Sequence, residues 1–148
     1  MDAKQTAIGY INEILNEWGV PESDCKDPNK DIWWLRQGSA EFHVELFSNP
    51  GRRGTKDCIE VSGKIMEIPS DPVKKQELYQ YILEMNATGV GCWFAVRGKL
   101  VMLISNREIE GLDKIEFRSM IDDVRFYSDQ FDDIFKEKYG ANYKAPGQ

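Results

Sequence analysis

One histidine, three cysteines and two aspartate pairs are the residues of this 148-residue chain with the most chemistry to offer. His43 alternates with Glu41 and Glu45 in a strand-like run, so the three share one face. That setting predicts a raised imidazole pKa from solvated carboxylates rather than a catalytic group. Cys25, Cys58 and Cys92 are far apart, form no CxxC pair and are odd in number, which reads as reduced thiols. Cys92 lies between Gly91 and Trp93 in an apolar run, where a thiol acts as a small hydrophobe; a reactive thiolate needs an accessible, electropositive setting. Asp122-Asp123 and Asp132-Asp133 could attract a cation, but neither pair has the alternating ligands, central Gly and terminal Glu of an EF-hand. No phosphate-binding P-loop, GxSxG elbow, HExxH or paired zinc-ligand motif occurs. The sequence therefore predicts no catalytic residue, no metal and no cofactor, and the expected function is binding rather than an enzymatic reaction.

The elements that must position these residues follow from periodicity. A helix is predicted over residues 2–18, where Ile8, Ile11, Ile14, Leu15 and Trp18 recur at three- and four-residue steps. Asp2 suits its positive end, and Gly19 then Pro21 stop it. Residues 22–30 read as a surface loop. The period then changes, giving a strand over 32–36, a tight turn at Gly38-Ser39 and a partner strand over 40–47, with Phe42, Val44 and Leu46 on one face. Residues 48–56, with Pro50, Gly51, Arg52, Arg53 and Gly54, read as an exposed, mobile connection. A third strand over 57–68 contains Gly63, which marks either a bulge or a close backbone approach, and ends at Pro69. Ser70-Asp71-Pro72 starts a helix to Asn86 with a Leu78, Tyr81, Ile82, Met85 stripe. A hairpin over 90–97 and 100–105 follows, turning at Arg97-Gly98-Lys99. A long helix over 113–139 comes last, its stripe including Ile115, Met120, Val124, Tyr127, Phe131, Ile134 and Phe135. Gly140 is expected to end it, leaving 141–148 as a frayed tail. The order α-β-β-β-α-β-β-α predicts one α+β domain over residues 1–148, its largely antiparallel sheet covered by helices.

Composition bounds the function. Four Trp, six Tyr and seven Phe in a chain that is 41% hydrophobic supply a core without disulfides. No apolar run approaches the roughly 20 residues of a membrane helix, and the first residues lack the basic start and apolar block of a signal peptide, so a cytoplasmic location is expected and no membrane partner. The net charge is −6, and residues 108–135 carry nine acidic and three basic residues. A nucleic acid would be repelled by that face, so no nucleic-acid partner is expected.

Particular residues in this order resemble the YbjN family, which shares the fold of the small acidic chaperones of type III secretion. They are Leu78-Tyr79, Ile82-Leu83 and Asn86, then Gly91-Cys92-Trp93-Phe94-Ala95-Val96, Gly98, Leu100-Val101, Leu103 and Leu112-Asp113. Gly38, the strand over 40–47 and the run from Val61 to Pro69 also fit. The resemblance implies a protein that binds other polypeptides and, in the chaperone branch, a homodimer holding an extended client segment. Ser105-Asn106-Arg107 stands where that branch commonly has an apolar residue and Pro, which favours a regulatory or accessory protein over a secretion chaperone.

A guest strand needs a free sheet edge and pockets for alternate side chains. The expected protein-binding surface is the first hairpin and its neighbouring loop: Trp33, Trp34, Phe42, Val44, Phe47, Arg52 and Arg53. Because consecutive strand residues point to opposite faces, Trp33 and Trp34 cannot both be buried on the same side. One of them needs a second cover: a helix, a second subunit or a client.

Overall fold

The structure is a computed structural model that describes residues 2–37 and 40–139; the expected turn at Gly38-Ser39, the Gly140 stop and the 141–148 tail lie outside them. The first helix, α1 (Ala3–Trp18), is capped by Asp2, whose carboxylate accepts from the Gln5 N–H, and ends at Gly19 with φ +67°, which a residue with a Cβ rarely adopts. The segment read as a loop contains a one-turn helix, α2 (Glu22–Cys25), following Pro21. Four residues are too few to show a helical period, and Pro at its start needs no N–H there.

Five antiparallel strands follow in space as β1-β2-β3-β5-β4: β1 (Ile32–Gln37), β2 (Ala40–Gly51), β3 (Gly54–Glu67), β4 (Trp93–Arg97) and β5 (Leu100–Glu108). Helix α3 (Pro72–Asn86) separates β3 from β4, and α4 (Lys114–Tyr139) closes the chain. Asp71 caps α3 by accepting from the Val73 and Lys74 N–H groups. Asp113 and Glu116 form a reciprocal box at the start of α4, each side chain accepting from the other's backbone N–H at 2.8 and 3.0 Å.

The connection expected over 48–56 is not a loop: β2 runs to Gly51, β3 starts at Gly54, and only Arg52-Arg53 turn. Gly54 takes φ +100°, the left-handed residue that closes a hairpin turn whose preceding residues keep negative φ. The irregularity in β3 falls between Lys64 and Met66 rather than at Gly63. Gly63 is instead the close approach, since a Cβ there would sit 2.7 Å from Ser128 Oγ of α4. Strand β4 begins at Trp93, after Gly91 at φ +86°, and Val90 is left exposed.

All the long helices meet one sheet face. Phe94 stacks edge-on against Phe131 of α4 with centroids 4.7 Å apart, Tyr81 of α3 meets Phe135 at 5.7 Å, and Trp18 of α1 meets Phe42 at 6.0 Å. The row Leu35, Phe42, Gly63, Leu103, Phe94 crosses all five strands on this face. Val124 and Phe117 of α4 are fully buried with it, whereas Ile115, expected in the apolar stripe, is exposed. Lys114 and Arg118 pair with Glu13 and Glu17 to tie α4 to α1, exposed contacts that add little stability.

Candidate protein-binding surface

Alternation divides the expected surface residues between the two faces. Trp33, Phe42 and Val44 point to the helices and are buried in the core. Trp34 lies on the opposite face and is 51% exposed. Phe47, opposite Cys58, is half-buried, and Arg52 and Arg53 are exposed at the tip of the β2–β3 hairpin. The helical layer covers Trp33, and Trp34 is the one that lacks a second cover among the described residues.

On the open face a second row crosses every strand: Trp34, His43, Ser62, Ile104 and Trp93. Trp34 lies 4.9 Å from the His43 ring, and Lys64 Nζ lies 5.8 Å from the Trp34 ring. Ser62 Oγ is 2.7 Å from His43 Nε2. Neither partner is presented to a solute: Ser62 is fully buried, His43 nearly so, and the strand amides that would hold an oxyanion are spent in the sheet.

The expected raised pKa of His43 is corrected. Burial pushes it below its ordinary 6.5, Glu60 opposes this, and Arg97 and Lys64 add to it; the strand neighbours Glu41 and Glu45 are not among the causes. A depressed folded-state value means His43 contributes stability above its unfolded pKa of about 6.5, lost as pH falls through the folded value. In an NMR titration the single histidine is expected to have a midpoint below 6.5; a midpoint at or above that value would contradict its burial under Trp34.

Glu60, missed by the sequence reading, is the second polar centre of this face. It is 2% exposed, and Arg97 reaches it with two guanidinium nitrogens, Nη2 to Oε2 at 2.8 Å, while Asn106 Nδ2 donates at 3.1 Å. Glu60 pairs with Asn106 but Arg97 pairs with Leu100, so the guanidinium crosses the face diagonally. A charged residue between Ile59 and Val61 was the signal in the sequence that a partner had to exist. Cys92, buried just before β4, has its thiol pushed up to about 11 by burial and by Asp123, which suits a packing role. Among the described residues no group of three His, Cys, Asp or Glu is placed to hold a metal ion.

Both outer edges of the sheet are partly closed. On β4 the Asn86 side chain takes the part of a neighbouring strand: its Oδ1 accepts from the Phe94 N–H at 2.7 Å and its Nδ2 donates to the Phe94 C=O at 3.0 Å. On β1 the Asp27 N–H donates to the Ile32 C=O at 2.8 Å. Asn86→Ala leaves both Phe94 groups without that partner and is expected to cost about 1–2 kcal/mol in urea unfolding. A loss near zero would mean that water replaces the amide freely.

Three solved structures share this arrangement. The ExsC–ExsE complex matches at TM-score 0.63 and 9% identity, covering 90% of this chain and 96% of that one. The Yersinia pestis type III secretion chaperone SycH, in complex with a stable fragment of YscM2, matches at 0.54 and 14%, covering 82% and 96%. The chain has the type III secretion chaperone-like fold. YbjN from E. coli matches at 0.52 and 11% identity, covering 94% and 96%, so the same fold includes YbjN. No family model matches the sequence, and no curated protein matches it. No helix among the described residues is long and apolar enough to cross a membrane.

Proposed function

We propose that this protein is a non-enzymatic protein-binding module of the YbjN type, regulatory or accessory in role, working in the cytoplasm. The carrying observation is the open sheet face, where a half-exposed Trp34 lies beside His43 and Ser62 and against which, among the described residues, no long helix packs. Such a face, with an aromatic anchor beside buried hydrogen-bonded groups, suits a polypeptide better than a small solute. Two of the similar structures are complexes of one protein with another, which supports a polypeptide partner. Three free, buried cysteines fit a reducing compartment.

A second reading, a homodimeric secretion chaperone holding an extended client segment, draws support from the likeness to SycH. Affinity capture of the tagged protein from its own cells, with mass spectrometry and light scattering, tests both. A dimer retaining one dominant polypeptide supports the chaperone, and a monomer retaining a polypeptide partner supports the regulatory module. A monomer that retains no polypeptide sinks both.

A further inference from the structure

The β2–β3 hairpin outruns the sheet. The last β1–β2 rung is Ile32 to Glu45 and the first β3–β5 rung is Cys58 to Glu108. Among the described residues, four further rungs, from Ser48–Asp57 to Gly51–Gly54, carry no third strand. At about 3.4 Å per residue this is a two-stranded ribbon reaching roughly 14 Å beyond its neighbours. Apart from Lys56, which is half-buried, residues 48–57 are exposed, and the only apolar side chain among them is Pro50. The ribbon has no core of its own, and a two-stranded ribbon alone is marginal in water.

Among the described residues its backbone is open on both sides. The Leu46 N–H donates to the Asp31 C=O on the β1 side, and the Ile109 N–H donates to the Asp57 C=O on the β5 side. Antiparallel alternation then turns the backbone groups of Ser48 and Thr55 outward, and puts Pro50 where no N–H is needed. Its charge is opposite to that of the body. Arg52, Arg53 and Lys56 face one acid, Asp57, which accepts from Ser48 Oγ at 2.9 Å. The whole chain is at −6, and among the described residues none of the three basic side chains is in an ion pair.

We infer that this ribbon is a docking arm for an acidic, extended segment of a partner polypeptide. The inference rests on the protein-binding reading and names the chemistry of the partner. An extended chain supplies both the carboxylates for Arg52 and Arg53 and the free backbone groups for Ser48 and Thr55. A helix has spent its backbone groups internally, which disfavours the acidic α4 of a second copy. A nucleic acid has no amide ladder to add and is repelled by the acidic body.

The test compares the full-length protein with R52E/R53E, using a labelled alternating Glu–Thr peptide, its Lys–Thr counterpart and duplex DNA as probes in fluorescence anisotropy. The parent protein is expected to bind the Glu–Thr peptide alone, more weakly as salt rises, and the variant to lose at least about tenfold in affinity at an unchanged melting temperature. Equal binding by both proteins, no binding by either, or arm-dependent binding of the Lys–Thr peptide or of DNA would overturn the arm. So would a partner from native cells held equally by both proteins, although that result leaves the protein-binding reading standing.

Discussion

Trp33→Ala is expected to cost about 3–5 kcal/mol of stability, whereas Trp34→Ala costs about 1 kcal/mol or less. The two residues are neighbours of the same type in the same strand, and only the face differs. Trp33 has 0% of its surface exposed, pairs with Val44 in register and has Lys26 Nζ 5.5 Å from its ring. Removing its indole leaves a cavity that packed neighbours can only partly fill. Trp34 is half in solvent, so truncation forfeits mainly its contact with His43 and Lys64. Urea unfolding of the two variants gives the comparison directly. Similar losses for both would mean that the open face is covered by something stable, such as a second subunit, and that the division of the sheet into core and open sides is wrong.

That division shows how far the sequence reaches. Period-two alternation is enough to say that Trp33 and Trp34 part company, and that Phe42, Val44 and Leu46 travel together. It does not say which side the helices take, because that depends on the connections and on the packing of α1, α3 and α4, none of which is local to β1 or β2. Phe42 and Val44 were therefore legible as a pair and not as core. The caps were legible for the opposite reason: Asp2, Asp71 and Gly19 act within a turn of their own helix, where spacing alone decides.

Where the reading failed, the residue types had two uses. Pro50, Gly51 and Gly54 usually break structure, but here Pro50 sits at a position with no N–H to donate and Gly54 supplies the positive φ of a tight hairpin, so the strands continue. The projecting arm was hidden behind that ambiguity. In β5 the polar Asn106, Arg107 and Glu108 still pair with β3, because Asn106 is a partner for Glu60, and a polar run reads as a strand end unless that carboxylate is known to be there. His43 went astray for a related reason. Its sequence neighbours are acidic, whereas the charged groups that bear on its titration lie on the adjacent strand β3, as Glu60 and Lys64 do, or on the far edge strand β4, as Arg97 does, and burial outweighs them all.

Those long-range groups carry the second large effect. Arg97→Met leaves the Glu60 carboxylate, only 2% exposed, with Asn106 as its remaining partner. Breaking a fully buried pair costs about 3–5 kcal/mol; here the Arg97 side chain is 47% exposed and screened by solvent, so about 2–3 kcal/mol is expected at neutral pH. The pH dependence separates this cause from lost packing. In the parent protein burial pushes the Glu60 pKa up, but the hydrogen bonds from Arg97 and Asn106 and the charge of Arg97 outweigh it, holding the carboxyl below its ordinary 4.5. A depressed value means the pair stabilises the fold above the unfolded carboxylate pKa of about 4.3 and ceases to do so as pH falls through the folded value. In the variant burial pushes the carboxyl upward instead, so protonation relieves the buried charge. The gap in unfolding free energy between parent and Arg97→Met should therefore be widest near neutrality and close on acidification, and E60Q/R97M should recover much of the loss at neutral pH by removing the charge that lacks a partner. A gap of constant size from neutral to acid would show that Arg97 acts through the packing of its aliphatic stem over the open face, and that Glu60 finds its compensation elsewhere.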